Sequence, residues 1–151
     1  MEKLYSDGKV KSIGVSNFLQ HHLEDIMEDG EFVPMVNQVE FHPKLVQQDL
    51  LNFCKGHKII YEAWSPLMRG EVFDIHEMKE IANKYDKSIA QIVLRWNIQK
   101  GVVTIPKTVR QERIIENAKL FDFSLSQEDM KKIDNLDTHS RIGPDPDNFD
   151  F

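Results

Sequence analysis

Side chains able to bind a planar amide and a flat ring stand at the ends of three short apolar runs. Ser16 and Asn17 follow the first run, Gln38 lies within the second, and Trp64 ends the third. Paired donor and acceptor atoms allow Asn17 and Gln38 to recognise a carboxamide. The indole of Trp64 provides a face on which a ring can stack. These residue types predict a pocket for a ring that bears a carboxamide.

Hydroxyl and basic side chains after the third and fourth runs predict an anion site. Ser65, Lys107 and Thr108 suit phosphate oxygens. Arg113 lies six residues past Lys107, near a predicted helix start, where the guanidinium and the helix dipole both favour an anion. Carboxamide, ring and phosphates together describe a nicotinamide dinucleotide, and the two cations suggest the extra phosphate of NADP. Neither GxGxxG nor GxxxxGK[ST] occurs, which excludes the Rossmann and P-loop solutions.

Four short apolar runs predict the strands that position these side chains. They span residues 12–15, 34–39, 58–63 and 102–105, and we interpret each as apolar on both faces. Segments with helical spacing alternate with them, at residues 19–28, 44–55, 76–84, 88–99, 111–120 and 126–136. This alternation predicts parallel βα units, in which ligands bind at the carboxyl ends of the strands. Any single polar strand end could equally cap a helix or begin a turn, but four together favour a shared pocket.

Local signals predict where several helices begin and end. Ser88 and Ser126 are placed to cap the helices that follow them, the second within the capping-box-like stretch "SQED". At the start of the sequence a short apolar helical face leads to Gly8, which we expect to terminate that helix. A protein rarely opens on the last turns of a helix, so we interpret Met1 as an internal methionine of a longer ancestor.

Length and composition predict one α/β domain over residues 1–151. Apolar residues make up 40% and charged residues 29% of the chain, as in a soluble globular protein. The net charge of −6 argues against a nucleic-acid partner, although it allows a local basic cluster. No apolar run is long enough to span a membrane. A single cysteine, Cys54, is typical of a reducing cytoplasm.

Other polar side chains are interpreted as structural. Glu40 is predicted to be a buried polar anchor and His42 a hydrogen-bonded turn residue. The adjacent His21 and His22 are expected to point to different parts of a helix surface. The stretch "HEMKE" resembles a zinc helix, but Glu80 stands where a second histidine is needed, so no metal site is predicted.

Four stretches, in this order, resemble the aldo-keto reductases, and in particular the branch of short-tailed bacterial reductases. They are "GKVKSIGVSNF", "VNQVEFHP", "AWSPL" and "IPKTVRQERIIENAKLFDFSLS", and the similarity runs over essentially the whole chain. The resemblance implies strands five to eight of an (α/β)8 TIM-type barrel that binds NADPH in an extended form without a Rossmann domain. The tail, residues 141–151, is similar to the family's C-terminal loop beside the substrate pocket, where Phe149 and Phe151 could dock.

By this likeness each matching residue would contact a particular part of the cofactor. The nicotinamide end would be held by Ser16, Asn17, Gln38 and the stacked Trp64. The pyrophosphate would meet Ser65 and Leu67. The 2′-phosphate would be bound by Lys107, Thr108, Val109 and Arg113, and the adenine by Glu116 and Asn117.

The sequence departs from the family in one respect that affects activity. Family members reduce carbonyls with an Asp, a Tyr, a Lys and a His on the first four strands, and no matching motif occurs among these 151 residues. We therefore expect the chain alone to be inactive, because the developing alkoxide has no proton source. Half a barrel also leaves open strand edges. We expect a second copy or a complementary N-terminal half chain to complete the barrel. The alternative is that the chain is a non-catalytic NADP-binding or structural remnant that self-associates.

Overall fold

The computed structural model describes residues 1–149, so the expected docking of Phe151 lies outside the described residues. The strands are β1 (Gly14–Ser16), β2 (Val36–Glu40), β3 (Ile60–Trp64) and β4 (Val103–Thr104). The α-helices are α1 (Glu2–Ser6), α2 (Gln20–Asp29), α3 (Gln48–Gly56), α4 (His76–Tyr85), α5 (Ile89–Gln99), α6 (Gln111–Ala118) and α7 (Gln127–Asp134). Two 3-10 segments, Met68–Asp74 and Pro146–Asn148, lie after β3 and in the tail.

The strands form one parallel sheet in the order β1-β2-β3-β4, which confirms the predicted parallel α/β fold. Ser16 lies opposite Gln38, and Gln38 lies opposite Glu62. Farther along, Glu40 lies opposite Trp64. Because the strands run in the same direction, the polar residues at their carboxyl ends are brought to a single edge of the sheet.

The two faces of the sheet differ in their environment. Asn37, Val39, Tyr61 and Ala63 are buried under the helices. On the opposite face Glu40 is buried by the tail but Gln38, Glu62 and Trp64 are partly exposed, and Gln38 donates a hydrogen bond to Glu62 at 2.5 Å. The prediction that the strands are apolar on both faces is wrong for this face, because the described chain leaves it uncovered and polar side chains are tolerated there.

The core lies between the sheet and its helices and is centred on aromatic rings. Phe41 stacks on Trp96 of α5 with ring centroids 4.9 Å apart, and it meets Tyr61 edge to face at 5.5 Å. The indole nitrogen of Trp96 donates to Asp134 at 2.8 Å, which satisfies its one polar atom. Burial of these rings supplies a large part of the apolar area that stabilises the fold.

Most predicted helix ends are confirmed to within two residues, but α3 and the strands begin later than predicted, with β1 starting at Gly14 instead of 12 and β2 at Val36 instead of 34. Ser88 and Ser126 cap α5 and α7 by accepting backbone N–H bonds. Gly8 ends α1 with a left-handed φ of 68°. The helix predicted to begin at residue 44 begins at Gln48, because residues 42–45 form a turn first. The strand predicted to begin at 58 begins at Ile60, because Lys58 takes a φ of 60° that no strand residue adopts.

Candidate functional site

A cavity of about 620 Å³ opens beyond the carboxyl ends of β3 and β4. It is formed by the segment after β3, the loop after β4 and the first turns of α6. Eight of the residues predicted from the sequence line it, namely Trp64, Ser65, Leu67, Lys107, Thr108, Arg113, Glu116 and Asn117. The structure thus joins an aromatic face and a basic cluster in one cavity.

The far end of this cavity is electropositive. Lys107 and Arg113 contribute two cations, the segment after β3 adds Arg69, and Glu116 is the acidic residue of the lining. In a chain with a net charge of −6, this local excess favours an anionic ligand. Sequence reasoning missed Arg69, whose φ of 52° turns the chain beside Gly70. The sequence signal for Arg69 was the long connection between β3 and α4, because long loops in compact domains are often functional and this one contains the basic stretch "RG".

The near end is built by hydrogen bonds between neighbouring strand ends. Asn17 has a φ of 59°, and its backbone N–H donates to the carbonyl of Gln38 at 2.9 Å. The Ser16 hydroxyl donates to the same carbonyl at 3.1 Å. The indole nitrogen of Trp64 donates to Oδ1 of Asn17 at 2.7 Å. Ser16, Asn17 and Gln38 therefore lie next to Trp64, although they do not line the cavity itself.

Asn37 supports this end from beneath and was not among the predicted site residues. Its side chain is fully buried, donates to the carbonyl of Phe18 at 2.8 Å and accepts from the Phe18 N–H at 3.4 Å. The loop that presents Asn17 is thus fixed to the middle of β2. The adjacent amides in "VNQVE" were the signal: one of the pair faces the site and the other faces the core, as the alternation of a strand requires.

Val109 is the residue predicted for the 2′-phosphate that does not line the cavity. It is 89% exposed and precedes α6. The preceding residue, Thr108, lines the cavity, and its hydroxyl accepts from the backbone N–H of Arg110 at 3.2 Å.

The aldo/keto reductase family model matches residues 1–138. The chain belongs to this family. It is 58% identical over 151 residues to the glyoxal reductase of Bacillus subtilis (strain 168), covering 100% of this chain and 55% of that protein. It is 44% identical over 151 residues to the methylglyoxal reductase DkgA of Escherichia coli (strain K12), covering 99% of this chain and 55% of that protein. The aldo/keto reductase chain thus spans about half the length of these relatives.

Solved structures of the family superimpose closely on it. The crystal structure of a Gox0644 mutant in complex with NADPH matches with a TM-score of 0.95 and 42% identity, covering 99% of this chain and 56% of that chain. The silkworm (Bombyx mori) aldo-keto reductase AKR2E5 complexed with NADPH matches with a TM-score of 0.86 and 33% identity, covering 93% and 46% of the two chains. The sheet described above is therefore the counterpart of part of an aldo/keto reductase structure. Within residues 1–149, no helix has the length and apolar character of a membrane span.

In this aldo/keto reductase chain the tail is attached at Glu40 and at Asp147, and Arg141 also donates a hydrogen bond to Gln47 at 3.2 Å. At the first, Glu40 is 1% exposed and accepts from the N–H groups of Ile142 and Gly143 and from Nε2 of His42. Burial lowers the pKa of His42 even though Glu40 stabilises the imidazolium, so the ring is neutral and donates. The predicted roles of Glu40 as an anchor and of His42 as a turn residue are confirmed, since His42 also exchanges backbone hydrogen bonds with Leu45.

At the second point the expectation that His21 and His22 point apart is wrong. Their rings lie 4.0 Å apart, and their Nε2 atoms lie 3.0 and 3.2 Å from Oδ1 of Asp147. Nδ1 of His22 accepts the backbone N–H of Leu19 at 3.1 Å, and Nε2 of His21 is hydrogen-bonded to Oδ1 of Asp147. The three side chains form a polar link between the tail and α2.

Proposed function

We propose that this chain binds NADP(H) and is the cofactor-binding half of an NADPH-dependent reductase that converts a carbonyl into an alcohol. The observation that carries the proposal is the continuous arrangement of an amide, an indole and a basic cavity along the carboxyl ends of β1 to β4. Relatives support it, because two of them are solved with NADPH and others are named as reductases of glyoxal and methylglyoxal.

The residues present fit an extended dinucleotide. Ser16, Asn17 and Gln38 offer donors and acceptors for the carboxamide, and Trp64 lies within hydrogen-bond reach of Asn17 with its ring at the cavity mouth. The remaining predicted residues follow in order for the phosphates and the adenine, namely Ser65, Leu67, Lys107, Thr108, Val109, Arg113, Glu116 and Asn117. The cofactor supplies a hydride when bound. These side chains hold and orient its ends and neutralise its phosphates.

Carbonyl reduction also needs a proton donor, which we propose comes from a complementary N-terminal half. Among the described residues, β1 and β4 each pair on one side, and α6 buries none of its side chains. Ile114 and Ile115 on α6 are more than half exposed, and Val103 of β4 is 44% exposed. Two open edges and an apolar helix face suit closure of the barrel by four further strands. The buried, unpaired Cys54 favours the reducing cytoplasm as the place where the protein works.

Native mass spectrometry with and without NADPH tests cofactor binding first. We expect a complex that retains NADPH in preference to NADH, whether as the 17.7 kDa chain, its dimer or a complex with a complementary chain. Retention of neither nucleotide in any assembly would contradict the proposed function.

Reconstitution tests the catalytic part of the proposal. The chain is mixed with the N-terminal half of a full-length relative, and NADPH oxidation is followed with methylglyoxal as the carbonyl probe. We expect turnover from the mixture and none from either half alone. A self-dimer that binds NADPH and never turns over with a complement would instead indicate a non-catalytic nucleotide-binding protein.

A further inference from the structure

Glu40 attaches the tail to the sheet immediately beside Trp64. It is the last residue of β2 and lies opposite Trp64 in the register of β2 and β3. Oε1 accepts the N–H of Ile142 at 2.6 Å, and Oε2 accepts the N–H of Gly143 at 3.1 Å. Ile142 and Gly143 lie more than 100 positions from Glu40 in sequence. The carboxylate of Glu40 therefore connects the tail to the end of β2 through two backbone N–H groups.

The turn held by Glu40 packs directly on the indole. A Cβ added to Gly143 would overlap Cη2 of Trp64 and would lie 3.2 Å from Cζ2 of the same ring. No side chain fits in that space, so glycine is required there by close approach rather than by its backbone angles. Any displacement of the turn at residues 142–143 therefore changes the space available to the Trp64 ring.

The pyrrole nitrogen of the same indole is bonded to Asn17. Its Nε1–H donates to Oδ1 of Asn17 at 2.7 Å, and this oxygen is one of the atoms offered to the carboxamide in the proposed function. The indole thus packs on Gly143 with its benzene ring and is bonded to Asn17 through its pyrrole ring. Its position decides whether one of the two lone pairs of Oδ1 is already engaged and which direction is left for a ligand.

We propose that Glu40 is a positioning residue: by holding the backbone of residues 142–143 against the indole, it keeps Trp64 bonded to Asn17. The significance of this contact for nicotinamide access rests on the proposed function, whereas the contact itself does not. The chemistry specifically requires a carboxylate. Two backbone N–H groups and the neutral His42 all donate to it, and an amide in its place would direct an NH2 group at one of these donors.

The test follows the indole N–H signals of the cofactor-free, 15N-labelled chain by NMR. Its two tryptophans give two such signals, and Trp64→Phe identifies that of Trp64. In Glu40→Gln we expect the Trp64 signal to shift and its solvent exchange to accelerate roughly tenfold. The Trp96 indole, bonded to Asp134 in the core, is expected to stay unchanged and reports that the fold is intact. The matched control, Glu80→Gln on the exposed face of α4, is expected to move neither signal.

A second variant keeps the test decisive if Glu40→Gln unfolds. Gly143→Ala leaves Glu40 intact and inserts a methyl group against the ring, so we expect the Trp64 signal to move again while that of Trp96 does not. An unmoved Trp64 signal in a folded variant, with the amides of Ile142 and Gly143 losing protection, would overturn the proposal. NADPH titration of the unmodified chain is read separately, so failure to bind cofactor would contradict the proposed function and leave this contact standing.

Discussion

The two ends of the candidate site are built in different ways. At the near end, beside Trp64, Asn37 and Glu40 are buried, and hydrogen bonds fix the loops and the tail around them. At the far, basic end, Lys107 and Arg113 are exposed, and α6 buries no residue. The near end is thus held in place by buried residues of the described chain. The far end consists of exposed side chains, and its order depends on what packs against α6.

Sheet position explains this difference. β2 and β3 have five residues each and pair on both sides, so side chains at their ends are surrounded by protein. β4 has two residues and one neighbouring strand. Mutations at the two ends should therefore have separable effects, with stability affected at the first end and ligand affinity at the second.

The largest effect is expected from Asn37→Ala. The substitution removes the two hydrogen bonds to Phe18 and leaves that residue's N–H and carbonyl without their partner. We expect the free energy of unfolding in urea to fall by about 2–3 kcal/mol. Asn117→Ala on α6 is the control and should cost less than about 0.5 kcal/mol. Equal losses in the two variants would contradict the contrast between the ends.

A smaller effect is expected where α7 meets α4, and it depends on pH. Burial disfavours the charged form of Asp129, but hydrogen bonds from Lys84, Tyr85 and Ser126 outweigh it and lower its pKa to about 2. Because the pKa is lower in the folded state, the carboxylate stabilises the fold above about pH 4 and loses this contribution as the pH falls towards 2.

We therefore expect Asp129→Asn to reduce the free energy of unfolding at pH 7 by roughly 1–2 kcal/mol, discounted because Lys84 is half exposed. The difference from the unmodified chain should shrink as the pH is lowered through this range. Asp122 is the exposed comparison: it pairs with Lys87, which lowers its pKa, yet Asp122→Asn should change unfolding far less. A pH-independent difference for Asp129→Asn would contradict the assignment.

At the far end, Arg113→Ala should weaken binding without affecting the fold. The side chain is exposed and lines the basic part of the cavity, so we expect the Kd for NADPH to rise about tenfold, equivalent to about 1.4 kcal/mol. Its thermal unfolding should match that of the unmodified chain. Calorimetric titration with NADPH and NADH provides the comparison, and an equal loss for both nucleotides would refute a role at the 2′-phosphate.

Sequence reasoning predicted these regions unequally for physical reasons. Alternation and helical spacing located the strands and most helices. The polar strand ends and the helix start at Arg113 identified five residues of the cavity lining, and the family resemblance added Leu67, Glu116 and Asn117. Local patterns could not place contacts made across the tail, such as Glu40 with Ile142 or His22 with Asp147, because no periodicity encodes them. The late start of α3 was missed for a related reason: the turn at residues 42–45 overrides local helix propensity.

The smallest effect on the chain alone is expected at the apolar face of α6. Ile114 and Ile115 are 56% and 51% exposed, so replacing both with serine should change the free energy of unfolding by less than about 0.5 kcal/mol. If a complementary half covers this face, the same double variant should bind that half at least tenfold more weakly, because it loses apolar area that closure would bury. Lys131→Ser on the exposed surface of α7 is the control for both measurements. An unchanged association constant would show that the barrel is completed along its strand edges without α6, and it would restrict the contrast between the two ends to the sheet itself.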